Sequence, residues 1–191
     1  MFFYRGKIRL DENNYCNYYF IQKWGIIKMK VSIIYSSRTG RTEKVAHLIE
    51  EGVKRVDGIE VKSMNLREES AIDKDFINDS DAVIFGTPTY YANIAWEMKK
   101  WIDESNEYNL EGKLGAAFAT ANSIAGGADI ALLTIVNHLM VKGMMVYSGG
   151  VAFGKPKTHI GYVHINEISE NEDENARIFG ERIANKVKKI F

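Results

Sequence analysis

From residue 29 onward, short runs of apolar residues alternate with segments in which apolar residues recur every three to four positions. Runs of the first kind are typical of strands covered on both faces of a sheet, and segments of the second kind are typical of helices with one buried stripe. The pattern predicts strands at 30–36, 59–66, 81–87, 114–121 and 144–150. It predicts helices at 42–53, 72–77, 94–104, 130–142 and 172–190, with a loop at 151–171. Because strands alternate with helices, the pattern indicates a parallel sheet with helices on both faces.

Residues 1–28 do not follow this pattern. They are rich in Tyr, Phe and Asn, show neither helical nor strand periodicity, and precede a second methionine, Met29, that opens the first predicted strand. We interpret residues 1–28 as an N-terminal extension outside the core, or as the product of an upstream start codon. No internal repeat or linker divides the rest, so residues 29–191 are predicted to fold as one domain.

Composition and charge restrict the possible functions. The 25 Lys and Arg residues balance 25 Asp and Glu residues, so the chain lacks the basic excess with which nucleic-acid binders neutralise phosphates. The single cysteine, Cys16, excludes an internal disulfide and any metal site built from several cysteines. No apolar run reaches the roughly 18 residues of a membrane span. We therefore expect a cytoplasmic protein without a metal, nucleic-acid or membrane partner.

Residues able to bind a ligand concentrate in the loops that follow three of the predicted strands. In an open parallel sheet, ligands bind beyond the carboxyl ends of the strands, where the strand order reverses. The loops are SSRTGRT at 36–42, GTPTYYANI at 86–94 and ATANSIAGG at 119–127. Their candidate cofactor-binding residues are Ser37, Arg38, Thr39, Gly40, Arg41 and Thr42; Thr87, Pro88, Thr89, Tyr90, Tyr91, Asn93 and Ile94; and Thr120, Ala121, Asn122, Ser123, Gly126 and Gly127.

The first loop is predicted to bind a phosphate. It brings backbone amides and hydroxyl groups to the start of a helix, where the helix dipole favours an anion, and Gly40 permits a close backbone approach. Arg38 and Arg41 add positive charge. The sequence has neither GxGxxG after the first strand nor GxxxxGK[ST], which disfavours a dinucleotide or a P-loop site and leaves a phosphomonoester. Because Tyr90 and Tyr91 could pack on a planar ring, the combination indicates FMN.

Two of these loops also resemble a known family. The segment SRTGRT at 37–42 matches the S/T-x-T-G-x-T phosphate loop of the flavodoxin-like superfamily, and GTPTYYANIAWEMKKWID at 86–103 resembles the WrbA-type NAD(P)H:quinone oxidoreductases and related NADPH-dependent FMN reductases. The resemblance implies a flavodoxin-like three-layer α/β sandwich, with a five-stranded parallel sheet in the order 2-1-3-4-5. It also implies FMN as cofactor and assembly into a homodimer or homotetramer.

From this resemblance we expect an NAD(P)H-dependent oxidoreductase. NADPH or NADH would reduce FMN, and FMN would pass electrons to a quinone, a flavin or another small acceptor. Since the flavin carries the chemistry, no catalytic side chain is required, and His159 is only a possible proton donor.

The alternatives are a flavodoxin-type electron-transfer protein that serves another redox protein, and an FMN-binding fold without a redox role. Without the five basic and two acidic residues of 1–28, the remaining 20 basic and 23 acidic residues leave a charge of about −3. Carriers of this superfamily are usually strongly acidic, so this value favours the enzyme.

Overall fold

The computed structural model describes residues 28–166 and 171–191. Apart from Lys28, the predicted N-terminal extension lies outside the described residues. The strands are β1 (Met29–Tyr35), β2 (Ile59–Asn65), β3 (Ala82–Pro88), β4 (Leu114–Ala121), β5 (Met145–Val146) and β6 (Tyr162–Ile165). The helices are α1 (Arg41–Lys54), α2 (Lys74–Asp79), α3 (Trp96–Glu104), α4 (Ala128–Val141) and α5 (Glu172–Ile190), with short 3-10 helices at Glu69–Ala71 and Ser105–Glu107.

Five of the strands form a parallel sheet in the order β2-β1-β3-β4-β5, which confirms the predicted fold class and strand order. The sheet has six strands rather than the predicted five, because β6 also pairs with β4. Side chains alternate between the two faces, because successive residues of a strand point in opposite directions. On β1, Val31 and Ile33 contribute to the core under α1 and α5, while Ile34 contributes to the core under α2, α3 and α4. The helices therefore cover both faces of the sheet.

The outer edge of β4 differs from the prediction. The strand predicted at 144–150 is observed only over Met145–Val146, which pairs with the start of β4. The chain then leaves the sheet because Gly149 and Gly150 adopt left-handed φ values of 83° and 69°. It returns as β6 beside Phe118–Ala121, within the segment predicted to be a loop. Four residues are too few for a strand pattern to stand out in the sequence.

Helices α1 and α5 are in close backbone contact on one face of the sheet. A Cβ atom built on Gly52 of α1 would lie 1.9 Å from the backbone oxygen of Arg177, and one built on Gly180 of α5 would lie 2.1 Å from that of Ile49. The two helices can approach this closely only because glycine has no side chain. This contact holds α1, which begins at the first predicted loop, firmly against the sheet.

Candidate functional site

The three predicted loops meet at the carboxyl edge of the sheet. The first and third loops are joined by a hydrogen bond of 2.9 Å between the Oγ1 atoms of Thr42 and Thr120, and by a bond of 2.5 Å from an Arg41 guanidinium nitrogen to Asn122 Oδ1. The second and third are joined because Thr89 N donates to Thr120 O at 2.8 Å. Residues 36–42, 86–94 and 119–127 therefore form one surface.

The first loop presents a row of backbone N–H groups. The N–H groups of residues 38–42 donate to no group in the described part of the chain, and the hydrogen bonds of α1 begin with Lys44 N donating to Gly40 O at 2.9 Å. We call these five N–H groups the anion cradle. They lie at the N-terminus of a 14-residue helix, where the helix dipole favours negative charge. Arg38 and Arg41 are exposed beside them.

Gly40 occupies the position directly before α1 with a φ of +83°. A Cβ atom on this residue would have only Glu43 Oε2 nearby, at 4.0 Å. Crowding within the protein therefore does not require glycine here. The left-handed backbone does, because it is costly for residues with a side chain.

Both ends of the anion cradle are held by hydrogen bonds. Ser37 Oγ accepts from Glu43 N at 3.2 Å, and Ser37 N donates to Asn65 Oδ1 at 3.2 Å. At the other end, the buried Thr42 is held by Thr120. Asn65 was missed by the sequence analysis, because it lies at the end of β2, 28 residues from Ser37, and belongs to no recognisable motif.

A buried carboxylate lies behind the first loop. Glu97, in the first turn of α3, is 8% exposed, accepts a hydrogen bond from Ser36 Oγ at 3.3 Å, and forms an ion pair with Arg67. An unpaired buried carboxylate at this place would oppose the binding of an anion. The guanidinium of Arg67 offsets that charge. This ion pair could not be predicted, because the two residues are 30 positions apart and share no motif.

The second loop contains a tight turn whose two central residues both have left-handed backbones. Tyr90 and Asn93 exchange two hydrogen bonds of 2.9 Å, and between them Tyr91 and Ala92 have φ values of 50° and 58°. The Tyr91 ring is fully exposed and the Tyr90 ring is 42% exposed. Both rings are therefore accessible to a planar ligand.

Other candidate residues of this loop have structural contacts. Thr87 is buried, and its Oγ1 accepts from Ala95 N at 2.9 Å, while Ile94 belongs to the core under α3. Pro88 is the last residue of β3.

Thr89 differs from these residues. Its Oγ1 is buried and has no hydrogen-bond partner among the described residues. Because a buried hydroxyl without a partner is unfavourable, Thr89 is the residue of this loop best suited to a polar ligand atom.

The third loop packs against the second. A Cβ atom on Gly127, which has a φ of +80°, would lie 2.5 Å from the Cβ of Ala92. Gly126 N donates to Ser123 O at 3.1 Å, which closes the loop before α4. Asn122 Oδ1 accepts from both Arg41 and Asn166, while Ala121 is buried at the end of β4. The second and third loops are therefore fixed relative to each other.

His159 does not lie with these loops. It is exposed between β5 and β6 and lines a cavity of about 750 Å³ whose lining residues include none from 36–42, 86–94 or 119–127. His164 lies closer to the site, because it pairs with Thr120 in the register of β4 and β6. Its ring is 3.4 Å from Tyr162 Oη and 3.8 Å from Glu172 Oε2. Burial lowers the pKa of His164, although the carboxylate of Glu172 opposes the shift.

We expect the free energy of unfolding to decrease as the pH falls through about 6.5, because the unfolded chain then binds a proton that His164 resists in the fold. Stability from this source is complete above that pH and declines below it. Urea unfolding at several pH values measures the effect, and His164→Gln should reduce the slope. An unaltered slope in His164→Gln would contradict the assignment.

Ala92→Gly should stabilise the protein by about 1 kcal/mol, because glycine adopts a left-handed backbone without the cost that alanine has there. The measurement is urea unfolding of the cofactor-free protein. Ala125→Gly, at an alanine of the third loop outside the positive-φ residues, is the matched control and should be neutral or destabilising. Equal effects of the two changes would show that the turn is not strained.

This chain is similar in sequence and fold to several known proteins. The chain matches the family model of NADPH-dependent FMN reductases over residues 29–158. It is 80% identical over 163 residues to a flavodoxin of Clostridium saccharobutylicum, covering 85% of this chain and 100% of that relative. It is 33% identical over 160 residues to a flavodoxin of Aquifex aeolicus strain VF5, covering 81% of this chain and 85% of the relative. The solved structure of a flavodoxin, WrbA-like protein from Agrobacterium tumefaciens is similar with a TM-score of 0.68 and 25% identity, covering 85% of this chain and 99% of that one.

These matches confirm the resemblance to the flavodoxin-like superfamily and support FMN as the cofactor. They overturn one prediction. The expected NAD(P)H-dependent oxidoreductase activity is wrong, because the relative that is 80% identical is named flavodoxin, an electron-transfer protein rather than an enzyme. The net charge of about −3 did not distinguish an enzyme from an electron carrier, because net charge affects association and solubility more than it determines function.

Several predictions on partners and location stay predictions. The matches to known proteins test neither the quinone or flavin acceptor, nor the homodimer or homotetramer, nor the cytoplasmic location, and they do not confirm NADPH or NADH as the electron donor. Within residues 28–166 and 171–191, no helix has both the length and the apolar character to cross a membrane. In the same ranges, no three His, Cys, Asp or Glu side chains are grouped so that they could hold a metal ion.

Proposed function

Since the chain belongs to the NADPH-dependent FMN reductase family, we propose that it binds FMN in the three loops at the carboxyl edge of the sheet and acts as a flavodoxin-type electron carrier. The observation that carries this proposal is the anion cradle at the start of α1. Five adjacent N–H groups without partners in the described chain are costly unless water or an anion binds them. A phosphate monoester matches them in charge and in number of acceptor oxygens.

The other two loops are proposed to bind the ring system. Tyr90 and Tyr91 offer accessible aromatic rings, and Ala92, which follows them, is in close contact with Gly127 at the end of the third loop. A flavin ring needs such flat surfaces together with hydrogen-bond donors and acceptors at its polar edge. The buried hydroxyl of Thr89 and the backbone amides of both loops supply these groups.

The carrier role is supported by the flavodoxin that is 80% identical to this chain. Bound FMN supplies the electron chemistry, and the protein supplies binding, orientation and the electrostatic environment. We propose that the chain receives electrons from one redox protein and gives them to another, one at a time. His159 has no role in this proposal, because it lies away from the three loops.

Anaerobic reduction of the purified, FMN-loaded protein tests the proposal. A carrier should be yellow, should take up electrons in two separate one-electron stages during photoreduction, and should be reduced slowly or not at all by NADPH or NADH. Bleaching by NADPH within seconds would contradict the carrier role. Failure of the chain to bind FMN would contradict the proposal as a whole.

A further inference from the structure

We propose that Asn65 is a positioning residue for the phosphate of FMN. In this proposal, its side chain holds Ser37, the residue directly before the anion cradle. It thereby increases the preference of the protein for FMN over riboflavin. The inference rests on the proposed function, in which the N–H groups of residues 38–42 bind the phosphate.

Asn65 is the last residue of β2 and is 7% exposed. Its Oδ1 accepts a hydrogen bond from Ser37 N at 3.2 Å, and its Nδ2 donates to Ser37 O at 3.3 Å. Oδ1 also accepts from Arg67 N at 3.3 Å. The amide group of one side chain therefore satisfies both main-chain polar groups of Ser37 and one of the loop that follows β2.

These contacts continue the sheet beyond its last paired residues. The pairing of β1 with β2 ends at Tyr35 and Asn65, after which Leu66 N donates to Tyr35 O at 2.7 Å. Ser37 lies past this point and has no neighbouring strand on the β2 side. A side-chain amide has the donor and the acceptor of a peptide group, so Asn65 replaces the missing strand residue. The backbone of Ser37 is thereby held in one conformation.

The position of Ser37 determines where the anion cradle begins. Ser37 Oγ accepts from Glu43 N, so this residue is bonded to β2 through its main chain and to α1 through its side chain. The far end of the cradle is fixed independently by the bond between Thr42 and Thr120. With both ends fixed, the five N–H groups between them keep their positions before the anion arrives. Such preorganisation strengthens binding because no ordering is required at the moment of association.

The chemistry of this position favours asparagine over aspartate. An aspartate could accept from Ser37 N and Arg67 N, but it has no donor for Ser37 O. It would also add a negative charge beside a site for an anion, where the buried Glu97, bonded to Ser36, already needs Arg67 to offset its charge. The neutral amide provides the donor and the acceptor without that repulsion.

The test compares FMN with riboflavin, which lacks the phosphate, in fluorescence-quenching titrations of the full chain. Asn65→Ala should weaken FMN binding by at least about tenfold, as expected for the loss of the two hydrogen bonds that hold Ser37. Riboflavin binding should change by less than about twofold, because among the described residues the Asn65 side chain is hydrogen-bonded to Ser37 and Arg67 and not to the second or third loop. Asn65→Asp should weaken FMN binding at least as strongly at low salt and less strongly at high salt, because its added effect is electrostatic.

Asn78→Ala is the matched control. Asn78 also accepts a backbone hydrogen bond, from Asn109 N at 2.9 Å, but it does so in α2, outside the three loops. This change should leave the affinities for both flavins unaltered. It separates a loss of general stability from a loss of cradle geometry.

Equal weakening of FMN and riboflavin in Asn65→Ala, or no weakening of either, would overturn the inference. If Asn65→Ala does not give a native circular dichroism spectrum, the same comparison of FMN and riboflavin is made with Asn65→Asp. This variant retains the acceptor for two of the three hydrogen bonds. Failure of the wild-type chain to bind FMN would refute the proposed function before any variant is compared. Wild-type binding of FMN without a selective effect at Asn65 would refute only the role of this residue.

Discussion

Replacing Gly40 by valine lowers the affinity for FMN by two orders of magnitude or more and leaves the affinity for riboflavin nearly unchanged. Gly40 has a φ of +83° at the centre of the anion cradle, and valine is strongly disfavoured in this conformation. The backbone of the loop must therefore rotate, which moves neighbouring N–H groups away from the phosphate. Each charge-assisted hydrogen bond that is lost contributes about 1.5–3 kcal/mol, so the loss of two is sufficient for the expected effect.

Titration of the wild type and Gly40→Val with both flavins, followed by fluorescence quenching, measures this effect. Gly58→Val is the matched control, because Gly58 has a similar φ of +81° in the turn between α1 and β2, away from the three loops. It should lower stability without changing the preference for FMN over riboflavin. Ser37→Ala and Thr42→Ala should produce part of the loss seen in Gly40→Val.

Two results would refute the phosphate site in this loop. One is equal weakening of both flavins in Gly40→Val, and the other is no weakening of either. Melting temperatures must be compared without cofactor, because FMN at 100 times its dissociation constant itself stabilises the fold by about 2.7 kcal/mol.

Gly180→Ala should lower the free energy of unfolding by about 3 kcal/mol, the upper end of the usual cost of overpacking a core. The added Cβ would lie 2.1 Å from the backbone oxygen of Ile49, and a backbone atom cannot rotate away as a side chain can. Helices α1 and α5 must therefore separate. Urea unfolding of the cofactor-free protein measures the loss.

Asn185→Ala, on the exposed side of α5, is the control for Gly180→Ala. Alanine favours a helix, and residue 185 lies outside the contact between α1 and α5. The change should therefore alter the free energy of unfolding by less than about 0.5 kcal/mol. Gly52→Ala should resemble Gly180→Ala, and the double variant should cost less than the sum, because one separation of the helices relieves both clashes. Native stability in Gly180→Ala would show that the two helices are not in close contact.

Several residues of the candidate site could be predicted from the sequence, because the pattern that identifies them is local. The first loop combines hydroxyl groups, glycine and arginines within seven residues, directly between a strand pattern and a helix pattern. A parallel sheet brings the ends of neighbouring strands to one edge, so the three loops were expected to meet. The bonds from Thr42 to Thr120 and from Thr89 to Thr120 are the direct evidence that they do.

Other features depend on contacts between distant parts of the chain. Asn65 acts on a residue 28 positions away, and Arg67 pairs with a carboxylate 30 positions away. Neither residue stands out in its own segment, because an asparagine or arginine after a strand is common in loops. The histidine that β6 brings beside Thr120 is His164, whereas His159, the possible proton donor, lines a cavity that includes no residue of the three loops.

The sequence by itself determined the order and approximate bounds of most helices and strands, the parallel sheet and the three loops at its edge. These follow from the periodicity of apolar residues and from local loop chemistry, which are properties of short segments. Only the tertiary structure decided which hydroxyls are taken up by internal hydrogen bonds, which glycines permit helix contact, and how the edge of β4 is shared by β5 and β6. Those features arise where segments far apart in the chain pack together, and the free energy of such contacts depends on geometry that no single segment encodes.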